Sequence, residues 1–136
     1  MAQQSERQRR HGSITMSHIK PLIKSSCNEL CTLHKNIYQR DLVTISDYTA
    51  LCGIEKNLIN VYEHLDIISI KQNTNVVNET MEYAEMMRKR IAAIAEYIRP
   101  YRLKHENVQV STVLSLINTE QQALHHLIAL NNGVKP

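Results

Sequence analysis

The sequence predicts an all-α protein of three to four long amphipathic helices, built either as a helical bundle or as a coiled-coil assembly subunit. Four stretches place apolar residues at alternating steps of three and four, the repeat a helix needs to lie along another helix. Only 3 Gly and 3 Pro occur in 136 residues, too little turn material for a many-stranded fold. Trp and Phe are absent and 6 Tyr are the only aromatics, so Leu, Ile, Val, Ala and Met must fill the interior. That inventory suits helix-on-helix packing, because aromatic side chains dominate most other cores. The length fits one domain.

Residues 1–18 read as a disordered basic tail. Arg7, Arg9, Arg10 and His11 stand there without the apolar run of a secretory signal, and Met16 offers an alternative start. A single helical domain over 19–132 follows. Its first helix, about 20–40, opens near Pro21, since proline is accommodated at the first helical position. Its apolar row is Ile19, Ile23, Cys27, Leu30, His34, Ile37. Residues 42–45 form a short apolar link. The second helix, about 46–71, takes Ser46 as its N-cap and Asp47 in its first turn, where a carboxylate suits the helix dipole. Its row is the clearest: Leu51, Ile54, Leu58, Val61, Leu65, Ile68. Gly53 interrupts it at a cost of about 1 kcal/mol relative to Ala, and marks either a close helix contact or a weak spot.

Residues 71–75 are polar and read as a loop, with Asn75 capping a third helix over about 76–98. The row Val77, Met81, Ala84, Met87, Ile91, Ile94, Ile98 contains one extra step of three, a slip that favours a bundle or a locally distorted coil over a long regular one. Pro100 is expected to end the helix, since the residue before a proline is driven from helical geometry, and 101–106 read as charged linker. The fourth helix, about 108–131, carries Val110, Leu114, Ile117, Gln121, Leu124, Ile128, with Gly133 as a C-terminal cap. Gln121 is a polar member of an apolar row, the kind of residue that fixes register or partner choice. Short links favour a bundle closed on itself; near-strict heptads favour helices that await other chains.

Catalytic chemistry is not expected. No phosphate-binding glycine loop, nucleophile elbow or paired-histidine zinc motif occurs. Cys27, Cys31 and His34 share one helix face, and a zinc site would need a fourth ligand such as Cys52 or His64. They read instead as ordinary row positions, so no metal and no cofactor are expected. His125 and His126 are helical neighbours about 100° apart and cannot converge on one ion, His126 lying at the edge of the apolar face and His125 outside it. Three cysteines suggest no disulfide framework and a reducing compartment. No segment reaches the roughly 20 apolar residues of a membrane span.

A basic cluster, Arg88, Lys89, Arg90, Arg99, Arg102 and Lys104, reads mainly as a solvated face. It also offers peripheral contact with an acidic partner or a membrane surface. Nucleic acid is not expected at a net charge of +3. Met81, Met86 and Met87 read as core, or as an adaptable partner groove.

At the second helix a family likeness emerges. Cys27-Asn28-Glu29-Leu30 is followed by Leu42, then Asp47-Tyr48 and Leu51, then Tyr62 with Leu65-Asp66-Ile67-Ile68, and finally Ile91, Ile94 and Tyr97-Ile98. Over roughly 27–127 the chain resembles the subunit-two family of the complex for biogenesis of lysosome-related organelles. It departs from that pattern in a longer stretch between Ile70 and Ala84, and at Pro100, which falls inside continuous helix in the family. The resemblance implies a small, all-helical cytoplasmic protein that assembles with other helical subunits on endosomal and lysosomal membranes. It carries no catalytic residue.

The expected function is therefore that of a non-enzymatic helical subunit or adaptor of a multiprotein assembly, a scaffold working through protein–protein contacts. Its partners would be other helical subunits or a second copy of itself. The alternatives are a small helical-bundle chaperone or accessory protein that binds a peptide, and a basic-patch lipid or nucleic-acid binder. The partner-binding seam is expected at Leu51, Ile54, Leu58, Val61, Leu65, Ile68, Ile91, Ile94, Ile98, Leu114, Ile117 and Leu124. Leu58, Leu65, Ile91 and Leu124 would be its central anchors, and Leu65→Asp is expected to abolish partner binding.

Overall fold

The computed structural model describes residues 16–104 and 109–132, with the backbone alone over 100–104. Four helices follow in chain order: α1 (Met16–Arg40), α2 (Ile45–Lys71), α3 (Asn75–Lys104) and α4 (Val110–Asn131). Each helix packs on its neighbour in sequence, and α4 closes the ring on α1. Side-chain bonds show that adjacent helices run antiparallel. Asn57 reaches Glu29 and Asp47 reaches Arg40 across α1–α2, while Arg90 reaches Glu120 and Thr80 reaches Asn131 across α3–α4. The all-α fold class predicted from the apolar rows is the observed one, in its closed form: an up-down-up-down four-helix bundle.

The helix ends differ from the sequence expectations at several points. The first helix begins at Met16, so Pro21 lies inside it and residues 16–18 belong to the folded domain rather than to a tail. Residues 1–15, with their basic side chains, lie outside the described residues. At the other end of α1, Asp41 adopts a left-handed backbone (φ 52°), a conformation that Asp tolerates better than most residues. Its N–H closes on the Ile37 carbonyl at 2.8 Å.

The cap of α2 is Thr44, not Ser46. The Thr44 N–H donates to Asp47 Oδ2 at 2.7 Å, the return half of a capping box. Arg40 then grips both Asp47 oxygens, through Nη1 at 3.0 Å and Nη2 at 2.7 Å. This bidentate pair ties the end of α1 to the start of α2 and satisfies the buried Asp47 carboxylate. Thr44 wins the cap because only there does Asp47 fall at the third helical position, where it can reach back.

Thr74 likewise replaces Asn75 at the start of α3, its Oγ1 accepting the Val77 N–H at 3.2 Å. Pro100 does not end α3: the helical backbone runs on to Lys104, so 101–104 are not linker. The fourth helix opens at Val110 behind Gln109 rather than at 108. Gly133 lies outside the described residues.

The core is one continuous cluster. Ile19, Ile23, Cys27, Leu30, Leu33 and Ile37 come from α1, and the whole predicted row from α2. Val77, Ala84, Met87, Ile91, Ile94, Ala95 and Ile98 come from α3. Ala84 and Met87, on either side of the slip, are both buried. The buried stripe of α4 is Val113, Ile117, Glu120, Leu124, Leu127, offset from the predicted row. Val110, Leu114, Gln121 and Ile128 are half-buried at its edge.

Gly53 resolves in favour of the weak spot. A Cβ built there meets nothing within 4 Å, so no helix approaches closely. Gly53→Ala is expected to raise stability by about 0.5–1 kcal/mol, read as a higher urea midpoint with an unchanged denaturant slope.

Candidate functional site

The residues expected to receive partner helices are used inside the chain. Leu51, Ile54, Leu58, Val61, Leu65, Ile68, Ile91, Ile94, Ile98, Ile117 and Leu124 are buried in the chain's own core, and Leu114 is half-buried against it. The predicted seam is thus corrected: its periodicity is real, but the facing helices come from the same chain. A partner of the folded bundle must use the outer surface.

The basic cluster also disperses. Arg88 donates Nε–H to Glu85 Oε2 at 2.8 Å, and Lys89 Nζ lies 3.6 Å from the same carboxylate. These contacts, with the Arg88 bond foremost, hold the Glu85 carboxyl below its usual range. Arg99 Nη1 lies 3.7 Å from Glu96. Arg90 turns to the opposite side of α3, where its Nε lies 3.0 Å from Glu120 Oε2. The side chains of Arg102 and Lys104 lie outside the described residues. Every described member of the cluster therefore has a carboxylate neighbour, which removes the picture of one open cationic face.

Glu120 was not anticipated. Its side chain is only 3% exposed, and burial raises its pKa while Arg90 pulls the other way. The signal was available: Glu120 stands three residues after Ile117 and four before Leu124, on the core stripe itself.

Of the cysteine candidates, Cys27 is buried and Cys31 half-buried, both facing α4. Burial, with Cys31 alongside, pushes the Cys27 thiol up to about 11, so without a cation beside it the group is a protonated thiol at neutral pH. His34 and the two suggested fourth ligands do not join them. Cys52 sits on α2 beside Tyr48, whose hydroxyl pKa it raises. The His64 Nδ1–H donates to the Asn60 carbonyl at 2.6 Å. Gln121, the polar residue of the fourth row, donates from Nε2 to Cys31 Sγ at 3.3 Å.

The neighbouring histidines part as their 100° separation requires. His126 is half-buried and stacks on Tyr83 with ring centroids 4.7 Å apart, and its Nε2 lies 3.7 Å from Glu79. His125 is exposed and turns toward α1.

Exposed apolar side chains stand at several places, Ile70 and Val76 beside the α2–α3 link and Leu116 on α4 among them, and two further features matter here. At the α1–α2 corner, Tyr38, Leu42 and Ile45 are 71%, 47% and 57% exposed. They surround a turn held by the Arg40–Asp47–Thr44 network. Between α2 and α3 an open groove of about 570 Å³ is lined by Tyr62, Met81 and Met86, with Glu82, Glu85 and Lys89 on its walls. Met87, by contrast, is core. No described helix is long and apolar enough to cross a membrane.

These features define a four-helix bundle protein whose described helices close on one core and whose outer face carries exposed apolar side chains. No protein-family model, curated protein or solved structure matches the chain.

Proposed function

We propose that this chain is a non-enzymatic adaptor, a self-contained helical module that docks onto another helical protein through the α1–α2 corner. One observation carries the reading. Tyr38 near the end of α1, Leu42 in the link and Ile45 at the start of α2 are all exposed, and they flank a turn that part-buried and bidentate polar bonds hold in place. Contiguous exposed apolar groups mark interaction sites, and a preorganised support lowers the ordering cost of binding. The lysosomal form of the reading places the module in the cytoplasm, peripheral to endosomal or lysosomal membranes, among other helical subunits or further copies of itself. It is supported by the likeness of residues 27–127 to the subunit-two family.

A second reading, a chaperone or accessory protein that binds a peptide, is favoured by the α2–α3 groove. Its methionines supply an adaptable floor and its acidic and basic walls a polar rim.

Two surface variants separate these readings. Ile45→Glu and Met86→Glu both alter exposed residues and are expected to leave helicity and melting unchanged. Co-purification from the native cell should lose a bound protein with Ile45→Glu and retain it with Met86→Glu. The reverse pattern supports the peptide-binding reading, and a set of bound proteins unchanged by Ile45→Glu contradicts the adaptor corner.

A further inference from the structure

The α1–α4 interface holds chemistry that packing does not require. Cys27 and Cys31 stand one helical turn apart on α1, and His125 meets them from α4. One ligand atom from each, the two sulfurs and an imidazole nitrogen, lies within 4.8 Å of the other two. A tetrahedral zinc ion with bonds of about 2.3 Å to sulfur and 2.0–2.1 Å to nitrogen separates its donors by roughly 3.5–3.8 Å. The donors are thus within about 1 Å of a coordinating set.

The spacing has a physical rationale. Residues four apart on a helix share a face, the arrangement by which helical histidine pairs hold zinc in metalloproteases. The absence of a tight Cys-x2-Cys turn therefore does not argue against ligation. An outer contact is also in place. Gln121 lies one turn before His125 on α4 and donates its amide N–H to Cys31 Sγ at 3.3 Å, the kind of bond that orients and stabilises a metal-bound thiolate. Cys31 is half-buried and His125 exposed, so the set opens to solvent on one side.

We propose that Cys27, Cys31 and His125 form a binding site for a zinc-class divalent cation, with the fourth position turned to solvent between α1 and α4. Binding forms two metal–sulfur bonds and one metal–nitrogen bond. It releases one proton from each thiol to water, while the imidazole coordinates in its neutral form. No electron is transferred. The ion clips α1 to α4, the contact that closes the ring of helices, so occupancy raises the stability of the whole bundle.

The test uses the full chain, reduced and stripped of metal, titrated with zinc alone and then with cobalt as a spectroscopic substitute. One ion per chain is expected. Cobalt should show thiolate-to-metal charge transfer and the intense visible bands of tetrahedral coordination. Saturating zinc should raise the melting temperature. His125→Ala alters an exposed residue and so tests the site without threatening the fold; it and Cys31→Ala should each weaken binding more than about tenfold, a loss that outer-shell changes alone can cause. Cys52→Ala should leave binding unchanged. No stoichiometric binding, an octahedral cobalt spectrum without charge transfer, or affinity unaltered in His125→Ala and Cys31→Ala would each overturn the site.

Discussion

Leu65→Asp is expected to unfold the chain rather than to detach a partner. Leu65 has no exposed surface and lies in the continuous core. Truncating such a leucine to alanine alone costs about 2–5 kcal/mol. A carboxylate there adds the cost of burying a charge, against a total stability of about 5–15 kcal/mol for a domain. Far-UV circular dichroism should show lost helicity and no cooperative melt at neutral pH. Part of the helicity should return in acid, where the new carboxyl protonates. A variant that stays fully helical and monomeric would mean that the α2 row is not the centre of a closed core.

Removing the guanidinium from Arg90 gives the second large effect. Arg90→Met leaves the Glu120 carboxylate inside the α3–α4 interface without its cation. Breaking a buried pair this way costs about 3–5 kcal/mol. Arg90 itself is partly exposed, so solvent already weakens the pair and about 2–3 kcal/mol at neutral pH is expected. The pH dependence follows from the causes of the Glu120 shift. Burial raises its pKa and Arg90 opposes that rise, so in the variant only the rise remains. A carboxyl whose folded pKa lies above its unfolded value contributes stability that is fully present below the unfolded pKa and is lost as pH rises through the folded one. The variant should therefore regain stability on acidification from neutral pH into the carboxylate range, more than the parent does. Glu120→Gln in the same chain should relieve most of the loss. Urea melts of the single and double variants at neutral and acid pH give the coupling directly.

Helix number and the core faces of α2 and α3 were legible because their apolar rows are long, and every member of the α2 row is buried. The face of α4 was harder to read. Apolar residues occupy both Val110–Leu114 and Val113–Ile117 spacings, so a wide stripe fits two rotations about the helix axis. Packing against α1 and α3 chose the one that buries Glu120. Helix ends were misplaced where a tertiary bond decides them. Asp47 fixes the α2 cap at Thr44 with help from Arg40, and α3 continues through Pro100 despite the local preference. The basic cluster looked continuous in sequence because consecutive residues are adjacent in a string, yet they point around a helix in space. Arg88 and Arg90 accordingly meet different carboxylates on opposite sides of α3. The meeting of Cys27 and Cys31 with His125 depends on the α1–α4 register, which no local pattern contains.

Whether the rows close within one chain is the claim on which the rest depends, and the molar mass of the purified protein tests it most directly. Light scattering on a sizing column, with far-UV circular dichroism on the same sample, should give a compact, strongly helical monomer that melts cooperatively and independently of concentration. An elongated oligomer whose mass grows with concentration, or a partly unfolded chain that gains helix only on mixing with other subunits, would contradict the closed bundle and return the apolar rows to the role of open seams.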